Sequence, residues 1–135
     1  ARSGLYSEDG ADKIGTLRVF RTIMGYEYLW LHIRVQGGAY GCMSNASAAG
    51  ECSFVTYRDP HLRRSNEVFE AVPAYLETFE TEETEMTKYV IGTMSTLDAP
   101  LTPAGKGARD FNAYLVSFTT EDAQKIRDAI IGCSH

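Results

Sequence analysis

The adjacent glycines Gly37 and Gly38, in the run "IRVQGGAYG" from Ile33 to Gly41, constrain this chain more than any other feature. Before them, Ile14, Leu17, Phe20, Met24, Tyr28 and Leu31 recur at helical spacing and predict a long helix over about Ala11 to Ile33, softened at Gly25. Glycine is costly inside a helix and favoured just past its end, so the pair ends the helix or follows its end. Arg34 stands before the pair and Tyr40 after it. A turn of this kind lets a ligand approach the backbone closely, and its flanks carry a permanent cation with a fork of donors and a phenolic O–H. Two donors converging on a carbonyl oxygen are what acyl transfer requires as charge builds on that oxygen. Without further context, an Arg paired with an acid and a Tyr packed on a sheet describe the same two residues.

After the turn, small residues up to Ala46, then turn residues, then "ECSFVTYR" with its β-branched and aromatic content predict a β-hairpin. Asp59-Pro60 is expected to open a second helix carrying Leu62, Val68 or Phe69, Val72, Tyr75, Leu76 and Phe79, kinked or broken at Pro73. Thr81 followed by Glu82, Glu83 and Glu85 starts a third helix, ending near Leu97-Asp98. Thr102-Pro103 starts a fourth, to about Ser117, and Thr119 or Thr120 caps a fifth that runs to Gly132. Residues 1–10 are polar and read as a loop or frayed N-terminus, which leaves 11–135 as the domain. The class is α+β, with helices packed on one face of an antiparallel sheet. Two strands are too few for an independent sheet, so they are expected to pair with strands outside this chain or with a second copy.

A net charge of −5 argues against nucleic acid as a partner. No apolar run approaches the roughly 20 residues of a membrane span, and the start of the chain has no signal-peptide pattern. Cys42, Cys52 and Cys133 make an odd count without a C-x-x-C, which favours thiols in a reducing compartment. Neither Cys42 nor Cys52 has an evident partner base for nucleophilic work. His32, His61 and His135 lack the spacing of a zinc site, so no metal is expected on this chain.

"EYLWLHIRVQGGAYG", "FVTYRDPHL" and "VIGTMSTLDAPLTPAGKG" together resemble the C-terminal half of the presequence-protease branch of the pitrilysin/insulinase zinc metallopeptidases. The resemblance runs from about Thr16 to Leu115. It implies a mitochondrial-processing-peptidase-like metallohydrolase domain, the fourth of four homologous domains whose two halves enclose an unstructured peptide. It implies zinc in the N-terminal half of the parent and none here. It further implies that Arg34 and Tyr40 reach the substrate carbonyl, with Gly37 and Gly38 letting the loop lie close to the peptide. Against the family pattern, Cys42 replaces a glycine, His61 replaces an Asn, and Pro73 interrupts a helix. The strand expected before the first helix and those expected after the last are missing from this reading. That omission and the start at Ala1 fit a fragment that is inactive alone and open to homodimerisation. A non-catalytic member of the same superfamily and a free-standing dimerising module are the two other readings.

Overall fold

Between Met24 and Ile33 the first helix widens, and that widening decides which residues face the core. The computed structural model describes residues 1–5, 11–46 and 51–133. Helix α1 (Ala11–Ile23) runs on into two π-helical segments, Met24–Tyr28 and Trp30–Val35. Their amides reach five residues back, Leu29 to the Met24 carbonyl and Gln36 to that of Leu31. On an ordinary α-turn, Ile33 would lie about two and a half turns from Met24, on the opposite side of the helix. The wider winding brings Met24, Tyr28, Leu29 and Ile33 into one core, and all four are buried. Gly25 therefore lies within a widened helix and does not interrupt it.

That core also takes Val19 and Ile23 from α1, Phe69 from α2 (Leu62–Glu70), Val72 from α3 (Val72–Glu77), Met86 and Tyr89 from α4 (Glu83–Leu97), and Ile126 and Ile130 from α6 (Thr120–Ile131). α1 packs on α6 and α4, and Thr22 and Thr93 share a hydrogen bond of 2.7 Å where α1 meets α4. The caps follow the sequence. Thr102 accepts from the Gly105 N–H at the head of α5 (Pro103–Leu115), and Thr119 forms a reciprocal capping box with Asp122 at the head of α6. Pro73 marks the break between α2 and α3, at Ala71. Asp59 and Pro60 do not open α2, which begins at Leu62. Instead the Asp59 carboxylate accepts the His61 N–H at 2.8 Å, forming a side-chain turn ahead of the helix.

Strands β2 (Gly41–Ala46) and β3 (Glu51–Tyr57) form the expected antiparallel hairpin. The reading of the N-terminus as a loop is corrected over β1 (Arg2–Leu5), which pairs antiparallel with β3 and makes a sheet of order β1-β3-β2. It supplies the strand that the family resemblance implies before the first helix. "RSGL" carries no strand signature of its own; the free edge of β3 supplies its hydrogen bonds, so pairing overrides propensity. Residues 6–10 lie outside the described residues. Cys42 and Phe54 turn inward onto the helices, while Met43 and Tyr57 stand on the open face, so the helices cover one side of an α+β layer. Cys42 lies opposite Thr56 and Cys52 opposite Ala46, so the two thiols do not face each other; all three cysteines are free. Among the described residues, no helix is long and apolar enough to cross a membrane.

Candidate functional site at the end of the first helix

Gly38 has φ of +72°, and its N–H reaches back to the Arg34 carbonyl at 3.0 Å, while the Ala39 N–H reaches Ile33 at 3.1 Å. A left-handed residue closed by bonds to the last turn is how helices commonly end. Gly37 is buried beneath that end, where a β-carbon would lie 2.4 Å from the Ile33 carbonyl oxygen. Arg64 of α2 completes the cap by donating to the Gln36 carbonyl at 2.9 Å and to the Gln36 side chain at 3.2 Å. Of the glycine pair, only Gly38 keeps an open face.

The turn delivers its two flanking side chains to solvent. Arg34 is exposed, with its guanidinium over the Trp30 ring, 4.1 Å from the centroid. Tyr40 is 66% exposed, and its N–H bonds to the Tyr57 carbonyl at 3.2 Å. The Tyr40 ring meets that of Tyr57 edge-on at 5.8 Å, and the Arg58 guanidinium lies 5.7 Å from the Tyr40 ring and 5.4 Å from the Tyr57 ring. The structure thus sets Arg34 and Tyr40 at the two ends of one turn, and no hydrogen bond or ring contact joins them directly. Two residues after Tyr40, in β2, stands Cys42; burial pushes its thiol up, and the Arg34 cation works against that. Among the described residues, neither Arg34 nor Arg58 has a carboxylate within ion-pair distance, so both guanidinium groups keep their donors for something else.

Trp30, Tyr57 and Arg58 were not singled out by the sequence. Trp30 stands four residues before Arg34, a spacing that brings side chains together on a helix and could have found it. Arg58 and Tyr57 come next to Tyr40 through the hairpin register alone. Among the described residues, no three His, Cys, Asp or Glu side chains converge to hold a metal ion. The His32 ring lies tilted against that of Tyr28, 4.7 Å between centroids, and His135 lies outside the described residues.

In chemical terms, the site is a set of exposed cationic and phenolic donors flanking a turn whose backbone is open at Gly38. Such a set recognises carbonyl or carboxylate oxygens. Several proteins resemble the chain along nearly its whole length. It is 43% identical over 131 residues to the HypA protein of Clostridium perfringens, covering 97% of this chain and 14% of that protein. It is 28% identical over 134 residues to presequence protease 1, chloroplastic/mitochondrial, of Arabidopsis thaliana, covering 98% of this chain and 12% of that protein. With the mitochondrial presequence protease of Saccharomyces cerevisiae, identity is 32% over 113 residues, 82% of this chain and 11% of that protein. The chain therefore spans about a seventh or less of the length of these relatives. The family model of the PreP C-terminal domain matches residues 1–135, and the chain belongs to that family.

Proposed function

We propose that this chain is the substrate-facing part of the C-terminal domain of a peptidase that degrades unstructured peptides, and that Arg34 and Tyr40 hydrogen-bond the scissile carbonyl or its neighbour. The observation that carries this reading is the placement of the two residues at either end of the Gly37–Gly38 turn, both exposed and with the guanidinium free of any acid among the described residues. Arg34 presents a planar fork, placed over the Trp30 ring, and Tyr40 a single O–H. The exposed backbone at Gly38 gives a peptide room to lie alongside.

Zinc, which the family resemblance implies for the parent, does not fit the described residues of this chain, which offer no converging ligand set. We assign the metal to the N-terminal half of the parent polypeptide, the partner this domain would face across the peptide. The 135 residues alone are then inactive. The free thiols fit a reducing compartment, cytoplasmic or within an organelle.

The test is Tyr40→Phe in the full-length parent, which removes one O–H and keeps the ring. Loss of one preorganised donor to the developing oxyanion lowers turnover by about 10²–10³. Near-normal turnover removes Tyr40 from the site.

A further inference from the structure

The hairpin ladder that pairs Gly41 with Tyr57 brings Tyr40 opposite Arg58 one step further on. The Tyr40 N–H lies 3.4 Å from the Arg58 carbonyl, and the Arg58 guanidinium lies over the Tyr40 ring at 5.7 Å. Arg58 has φ of +49°, a left-handed conformation that glycine or asparagine adopts at little cost and arginine does not. Its side chain has no carboxylate partner among the described residues, so an ion pair does not account for an arginine there. What it touches are the rings of Tyr40 and Tyr57, which meet at 78°.

We infer that Arg58 is a positioning residue for Tyr40: its cation holds the exposed phenol against Tyr57, aimed at the position the peptide carbonyl occupies. The left-handed backbone is part of the device, because it turns the chain at the end of β3 and sends the side chain back over the Tyr40 ring. With two thirds of its surface open, Tyr40 has few other contacts to fix its direction. A donor that swings freely loses orientation each time it acts, and orientation is what a positioned group contributes to turnover. This inference rests on the reading of Tyr40 as a donor to the peptide.

A double-mutant cycle in the full-length parent tests it. Arg58→Gly relaxes the backbone while removing the cation, so its melting temperature stays level or rises, yet kcat falls by about three- to tenfold with little change in KM. Arg58→Lys keeps a cation over the ring and restores most of that loss. In a Tyr40→Phe background, Arg58→Gly has no further effect on kcat, because the group it aims is gone. The inference is overturned if Arg58→Gly leaves kcat unchanged, if it lowers the melting temperature while turnover holds, or if its effect is the same with and without the Tyr40 hydroxyl. If Tyr40→Phe itself retains full turnover, the donor reading of Tyr40 fails, whichever way the Arg58 variants behave.

Discussion

Gly15 on α1 and Ala129 on α6 approach so closely that a β-carbon on the glycine would lie 2.5 Å from the Ala129 β-carbon and 3.0 Å from backbone atoms of Ala129 and Ile130. The close crossing seats Ile130, fully buried, in the core beside Val19. Gly15→Ala must push the helices apart, an overpacking that costs about 1–3 kcal/mol. A melting temperature lowered by several degrees is expected, partly restored by adding Ala129→Gly, since the backbone contacts remain. An unchanged melting temperature would show that the crossing is looser than described.

The turn that carries the site makes an ordered forecast. Gly37→Ala is the most damaging change, because its β-carbon meets the fixed carbonyl of Ile33. Gly38→Ala forces an alanine to φ of +72° and costs roughly 1 kcal/mol. Gly38→Asn costs less, as asparagine tolerates the left-handed region. Urea midpoints for the three variants should fall in that order, and Gly38→Ala as harmful as Gly37→Ala would contradict it.

Acid should loosen α6 from its head. The Asp122 carboxylate accepts the Thr119 O–H at 2.6 Å and the Thr119 N–H at 2.9 Å, and these bonds hold it below the usual carboxylate range. A carboxyl whose folded value is depressed adds stability above its ordinary value, and that stability is lost as pH falls through the folded one. Melting temperature should therefore decline below about pH 4, and less steeply in Asp122→Asn. Parallel acid limbs for the two proteins would remove Asp122 from the effect.

Four helix boundaries were legible because each is written in a local residue, whereas the start of α2 at Leu62 was not. Thr102 and Thr119 cap, Pro73 breaks, and Gly38 ends the first helix, and none needs a distant partner. β1 was not legible, because its four residues are a strand only beside β3. The π-helical widening was hidden for a similar reason, since it answers the demand that Met24 and Ile33 share one core. Arg34 and Tyr40 stand out in the motif as candidates, but Arg58 does not. Its place over Tyr40 depends on the register between β2 and β3, together with a backbone angle that no residue type announces.

The isolated chain should self-associate. With the order β1-β3-β2, β1 and β2 each carry an outer row of N–H and C=O groups without a strand partner among the described residues. Such edges template pairing with another chain. Sedimentation velocity should show concentration-dependent dimers or larger species; a clean monomer at high concentration would sink this expectation.

Arg34→Lys separates the two accounts of the cation on Trp30. If Arg34 is only a surface residue stacked on an indole 4.1 Å away, the exchange keeps the charge and most of the packing. It then costs at most the 0.5–1 kcal/mol or so of an exposed cation–π contact, with turnover in the full-length parent intact. If the guanidinium holds the peptide carbonyl, the ammonium cannot reproduce its planar fork. Stability then barely moves while kcat falls by about tenfold or more, and KM rises less, because the contact tightens as charge develops on the oxygen. Trp30→Leu should follow Arg34→Lys in direction and fall short of it in size, since it frees the guanidinium without removing it. Measuring kcat, KM and melting temperature on these two variants decides the matter, and unchanged kcat in Arg34→Lys excludes the guanidinium from the reaction.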